Sequence, residues 1–248
     1  MSRIGVVSAL PIEARSLRGR RRLRGRLGVL PAPAMLGISG PGPARAQCMA
    51  ERLVAQGATG LVSWGLAGGL DPGIASGTLV LADRVVDASG AAYPTEQRWR
   101  RKIRSALPPQ VRAVEAPLLA SDCIAATAES KAALRQRYAA VAVDMESGGI
   151  ACVASRYGVA LLVLRVVVDP AGVALPPPIA GAVNEDGAVR LSRLIDILAR
   201  QPHMLWPLLG LAWRARAATS TLRRIAPLIT GESALHSLAS VGSPSALS

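Results

Sequence analysis

The chain has no phenylalanine, only two histidines and only three cysteines in 248 residues, and each scarcity narrows its chemistry. His203 and His236 lie away from the acidic residues that follow its apolar runs. This argues against Ser-His or Cys-His catalysis and against a histidine-rich metal site. Cys48, Cys123 and Cys152 are far apart, odd in number and set among apolar residues. Neither a disulfide framework nor a zinc site is indicated, and a reducing cytosol is expected. Aromatic residues make up 3% and do not interleave with the basic runs, so no stacking platform for nucleic acid is visible. No apolar run approaches the roughly 20 residues needed to span a bilayer, and the N-terminus enters a strand-like Ile4 to Ala9 directly. A cytoplasmic protein is expected, with acid–base chemistry left to carboxylates.

What is abundant is apolar and basic. A hydrophobic content of 50% over this length suits one α/β domain with a small appendage. The formal charge is +13 and nearly all arginine, because Lys102 and Lys131 are the only lysines. Two explanations stand: an anionic partner such as a membrane surface or phosphate, or a composition biased toward Ala, Arg, Gly and Pro.

The most informative stretch runs from residue 141 to residue 171. Val141 to Val143 is a short apolar run ending in Asp144-Met145-Glu146. Ile150, Ala154 and Tyr157 follow at helical spacing, and Gly158 suits the left-handed turn that stops a helix. Ala160 to Val168 reads as a strand buried on both faces, interrupted only by Arg165 and ending at Asp169-Pro170. In such β-α-β units ligands lie beyond the carboxyl ends of the strands, where Glu146 and Asp169 fall. The residues alone also allow a plainer reading, with Asp169 starting a turn and Glu146 favouring a helix N-terminus.

The rest of the chain supplies further strand ends. Residues 3 to 9 form a first strand, and Leu10-Pro11-Ile12-Glu13 turns it into a helix, placing Glu13 in a ligand-facing position. Seven arginines between Arg15 and Arg26 form either a solvated face or a contact for phosphate or membrane. Pro31 and Pro33 interrupt an edge hairpin, with Ala34 to Ile38 returning as a strand before Ser39-Gly40-Pro41-Gly42. That turn opens a helix over Ala44 to Gln56, and its N–H groups are placed to face an anion or a sugar hydroxyl, with Arg45 nearby. Further strands are expected at Leu61 to Trp64, Thr78 to Val86 and Leu118 to Ala120. Helices are expected around Arg98 to Arg104, over Glu129 to Tyr138 and over Gly187 to Arg200, the last after the loop Leu175-Pro176-Pro177-Pro178.

The motifs IGVVSALPIEA, SGPGPARA, VSWGLAGGLDPGIASGTLVLAD, VAVDMESGGIA and LRVVVD resemble, in this order, the nucleoside phosphorylase and nucleosidase superfamily. The similarity is greatest to the 5′-methylthioadenosine/S-adenosylhomocysteine nucleosidase branch. It implies a single α/β domain around a twisted, partly barrel-like mixed sheet that cleaves the N-glycosidic bond of a purine nucleoside. By this resemblance Asp169 is the acid that protonates adenine, Glu146 accepts hydrogen bonds from the ribose hydroxyls, Met145 packs under the sugar and Glu13 activates water. Ser63, Gly65 and Gly68 belong to the loop around the sugar and nucleophile, and Ile124 and Ala125 to the purine wall. At Ile124 the family usually has a stacking aromatic, and at Val168 a serine that hydrogen-bonds the acid. The segment between Glu13 and Ser39 is shorter here. No cofactor is implied. Phosphate stands as an alternative nucleophile to water, with Arg15, Gly42 and Arg45 as its candidate holders. A homodimer or larger homo-oligomer is expected from the same resemblance.

The catalytic domain is expected to span residues 1 to 201, followed by a basic helical extension at 202 to 229 and a Ser-rich disordered tail at 230 to 248. In the extension Trp206, Leu209 and Trp213 share one helical face, Arg214, Arg216, Arg223 and Arg224 follow, and no acid occurs between Asp196 and Glu232. This suits an amphipathic helix on an anionic membrane, or a helix packed on the domain or on a second subunit. The basic tail and the GPxRA turn resemble the hopanoid-associated phosphorylase group, which implies a lipid-linked substrate, adenosylhopane, and peripheral attachment to the inner face of the cytoplasmic membrane. Each buried CH₂ of such a lipid is worth about 0.8 kcal/mol, which favours an enzyme that comes to the bilayer.

Overall fold

The computed structural model describes residues 3–18, 27–30, 34–174 and 205–231. Nearly continuous aliphatic runs become strands β1 (Arg3–Ser8), β3 (Ala34–Ile38), β4 (Ala58–Gly69), β5 (Leu79–Asp87), β7 (Ala113–Ala120), β8 (Ala142–Asp144) and β9 (Ala160–Asp169), with β2 (Leu27–Val29) and β6 (Ala92–Pro94) at the edges. Strands β4, β8, β7, β5 and β9 pair in turn, and β9 returns to β4, closing a mixed barrel. β1, β3 and β2 extend the sheet outward from β4. Closure leaves the barrel strands no free edge, and β9 is buried along almost its whole length. The expected α/β architecture, partly barrel-like and mixed, is the one observed.

Helices cover both faces. α2 (Pro43–Ala55) and α5 (Ser147–Tyr157) set Met49, Leu53, Ile150 and Val153 against Leu61, Val80 and Val163 of the sheet. α5 ends at Gly158, whose φ of 62° is the left-handed conformation that glycine adopts without a Cβ penalty. On the other face Trp64, Trp99, Leu79 and Leu162 join α1 (Pro11–Arg18), α3 (Gln97–Ser105) and the C-terminal helices α6 (Leu205–Ile225) and α7 (Pro227–Thr230). α4 (Ala128–Tyr138) starts with a capping box between Thr127 and Ser130.

Several expectations change. β7 begins five residues before Leu118, since Glu115 and Pro117 hide its alternation. Tyr157 is 52% exposed and leaves the buried face shared by Ile150 and Ala154, because it is the last helical residue before the turn. Cys48 and Cys123 are exposed in spite of their apolar neighbours in sequence. The C-terminal helix is also no separate appendage. Ala218, Leu222, Ile225 and Ile229 sit in the main core, and Thr221 Oγ1 donates to Gly77 O at 2.9 Å. Packing on the domain holds for the second half of this segment, while Leu209 and Trp213 in its first half are 42% and 71% exposed. The helix expected over Gly187 to Arg200, the proline loop, Arg20 to Arg26, the tail from residue 232 and the side chain of Trp206 lie outside the described residues.

Candidate active site

Four strand ends and the first turn of α1 surround a cavity of about 300 Å³. Glu13, Met145, Glu146 and Asp169 line it together with Gly68, Ile124, Ala125 and Asp144. Its other walls are apolar: Ala9, Leu10, Leu66, Val143, Val168 and, from α6, Leu211. The three carboxylates expected from the sequence therefore converge on one space. Ile124 sits at the rim, 56% exposed, where the resemblance places an aromatic ring.

Glu13 is held by the chain around it. Its Oε2 accepts from Ser8 Oγ at 3.1 Å, Ala9 N at 3.1 Å and Leu10 N at 2.9 Å, and its Oε1 accepts from Leu66 N at 2.9 Å. Burial raises its pKa above the ordinary glutamate range, and the charge of Arg165 and these hydrogen bonds oppose that only in part. A fixed carboxylate with a raised pKa is suited to take a proton from water near neutral pH.

Arg165 is the centre of the charge network, although in the sequence it looks like an interruption of β9. Its side chain is fully buried by three acidic neighbours. Nε is 2.7 Å from Asp144 Oδ2, Nη1 donates to Leu66 O at 3.2 Å and to Glu146 Oε2 at 3.5 Å, and Nη2 donates to Ser63 Oγ at 2.8 Å. Burial alone would lower its pKa, but Asp144, Glu146 and Glu13 outweigh it and hold the guanidinium charged. Burial pushes Glu146 up to about 7; Arg165 opposes this, while Asp144 and Glu13 add to it. Ser147 completes the set, its Oγ hydrogen-bonding Asp144 and lying 2.9 Å from Ser63 Oγ.

Ser63 and Gly65 thus do not line the cavity. Ser63 holds Arg165 from behind, and Gly65 leaves room for it: a Cβ there would stand 2.5 Å from Arg165 Nη1 and 2.6 Å from Glu13 Oε1. The candidate phosphate holders do not gather at the cavity either. Arg15 is exposed on α1, and neither Arg15 nor Arg45 is among the lining residues. The amides of the glycine turn are used within the protein: Ser39 N donates to Ser8 O, Gly40 N to Ala9 O and Gly42 N to Glu146 Oε1 at 3.1 Å. Such amides are no longer free to cradle an anion.

Asp169 is 7% exposed at the end of β9. Burial raises its pKa, and Lys131, on α4, opposes that rise. Lys131 and Arg165 are two side chains at the site that no sequence motif singles out. Their signal was a charge where none is expected, in an apolar strand and in one of only two lysines. Among the described residues no group of three His, Cys, Asp or Glu side chains is placed to hold a metal ion, and no helix is long and apolar enough to cross a membrane.

The chain belongs to the phosphorylase superfamily, whose family model matches residues 8–200. Solved structures agree on the fold. It resembles the 5′-methylthioadenosine/S-adenosylhomocysteine nucleosidase of Neisseria meningitidis in complex with methylthio-immucillin-A (TM-score 0.68, 16% identity, 93% of this chain and 99% of that one). The Helicobacter pylori nucleosidase of the same name is similar (TM-score 0.66, 17% identity, 92% and 96%). So is the futalosine hydrolase of that organism (TM-score 0.64, 18% identity, 90% and 97%). No curated protein matches the sequence significantly.

Proposed function

We propose that the protein hydrolyses the N-glycosidic bond of an adenine nucleoside. The observation that carries this reading is the convergence of Glu13, Glu146 and Asp169 on one apolar-walled cavity. Asp169 gives its proton to N7 of the base while the C–N bonding pair moves onto the leaving base. Glu146 accepts hydrogen bonds from the ribose hydroxyls, and these strengthen as positive charge grows on the sugar. Water adds its oxygen to C1′ and leaves its proton on Glu13, so atoms and charge balance.

The charge pattern supports water over phosphate. Three carboxylates face the one guanidinium of Arg165, so among the described residues their charge outweighs it, and a phosphate dianion would meet like charge there. The two nucleosidases above, named for methylthioadenosine and adenosylhomocysteine, favour a soluble salvage substrate as the second reading.

Within this reaction we propose adenosylhopane as the substrate, acted on at the membrane surface. Leu211 brings α6 into the cavity wall, and the same helix exposes Leu209, Trp213 and Arg216. An apolar wall continued by an exposed tryptophan and arginines suits a lipid 5′ substituent and an anionic interface. The test is adenine release from adenosylhopane and from methylthioadenosine, in detergent, with and without phosphate. Release from the hopanoid without phosphate is expected. Preference for methylthioadenosine overturns the lipid reading, and dependence on phosphate overturns hydrolysis.

A further inference from the structure

The single buried residue of α4 is a lysine. Lys131 has no exposed surface, and its Nζ donates to Asp169 Oδ2 at 2.5 Å, to Val173 O at 2.8 Å and to Pro170 O at 3.1 Å. An ammonium is several kcal/mol out of place in an apolar interior unless its hydrogens are used, and these acceptors use all three. The residue preceding the acid in β9 is Val168, which has no donor to offer. The side-chain partner of the acid is therefore a cation from another element.

We infer that Lys131 is the positioning residue of the acid: it pins Asp169 Oδ2, leaves Oδ1 for the leaving base, and stabilises the carboxylate that remains after proton transfer. The inference rests on the reaction proposed above. The proton that moves is the one on Asp169. Before transfer the ammonium faces a neutral carboxyl, and afterwards it faces an anion, so its attraction grows along the reaction and is a differential effect. Arg214 on α6 acts on Asp169 in the same direction, and Glu146, Asp144 and Glu13 line the same cavity with the opposite sign.

Removing the cation takes away the largest opposition to burial, leaving Arg214 and a backbone hydrogen bond, so in Lys131→Met the Asp169 carboxyl should titrate at higher pH than in the wild type. The alkaline limb of kcat/KM should move up with it. Loss of aim and of the waiting charge should lower kcat by about 10²-fold with little change in KM. Unchanged kcat with an unmoved alkaline limb in a folded Lys131→Met chain would overturn the inference.

A second measurement needs neither a folded variant at this position nor activity. Because the chain has two lysines, ¹⁵N-lysine labelling gives two Nζ resonances, assigned by Lys102→Arg. The Lys131 resonance should shift with the titration of Asp169 and lose that shift in Asp169→Asn. An Nζ signal blind to Asp169 overturns the pairing. Absence of base release from every nucleoside, with the Nζ signal still following Asp169, overturns the proposed reaction and leaves the pairing intact.

Discussion

Arg165 and Asp144 form a buried ion pair, Nε to Oδ2 at 2.7 Å, with each side chain only 1% exposed. Removing one partner leaves the other charge buried. Asp144→Ala is expected to destabilise the chain by about 3–5 kcal/mol. In a double-mutant cycle with Arg165→Ala the two losses should fall well short of adding. Urea unfolding of the four chains measures the coupling, and simple additivity would show that the pair does not hold the site.

The acid is tested at Asp169. Asp169→Asn keeps the shape of the side chain and removes the proton, so kcat should fall by about 10²–10⁴-fold with KM nearly unchanged. Adenine release followed by absorbance reads both constants. A large rise in KM alone would make Asp169 a binding group.

Glu146 sets a pH dependence. In the proposed reaction it accepts from the ribose hydroxyls in its ionised form, and its pKa is pushed up to about 7, so at pH 6 only roughly a tenth of the chains carry that form. kcat/KM should therefore rise through neutrality, in contrast to the flat profile an ordinary glutamate would give there. Glu146→Gln should be slow and should lose this limb, and its persistence in the variant would assign it elsewhere.

Gly65→Ala should be among the most damaging conservative changes. The added methyl meets both Arg165 Nη1 and Glu13 Oε1 below 3 Å, and either side chain can move away only by giving up its hydrogen bond to Leu66. We expect a loss of about 1–3 kcal/mol in stability and a larger fall in kcat than in KM, read by thermal melting and turnover.

The proposed membrane contact is tested at Trp213, which is 71% exposed. Trp213→Ala with Leu209→Ala should reduce flotation with anionic vesicles and leave thermal stability and turnover of a water-soluble adenine nucleoside unchanged. Truncation before α6 would not test this, because it removes Leu222, Ile225 and Ile229 from the core. Equal flotation of both chains would assign the basic surface to another role.

The strand-end positions of Glu13, Glu146 and Asp169 were legible in the sequence because polar residues there follow apolar runs and reach a ligand, whereas the barrel was expected from the resemblance of the motifs to a known superfamily. Arg165 was not, since a lone charge in such a run reads as a flaw until Asp144, Glu146 and Glu13 are seen around it. Lys131 was hidden for a related reason: α4 has no apolar stripe, and its one buried position carries a charge. Gly42 misled in the opposite direction. Its turn has the form of an anion cradle, but the anion it binds is the chain's own Glu146.

Leu211 closes one wall of the cavity, yet it lies more than forty residues beyond Asp169 in the chain. During synthesis the barrel strands emerge and can pair well before that wall exists. The nascent protein therefore carries Asp169, Arg165 and Glu13 in a cleft without its Leu211 wall until α6 docks. Completion of the C-terminal helix is then the step of biogenesis at which the active site acquires its final shape.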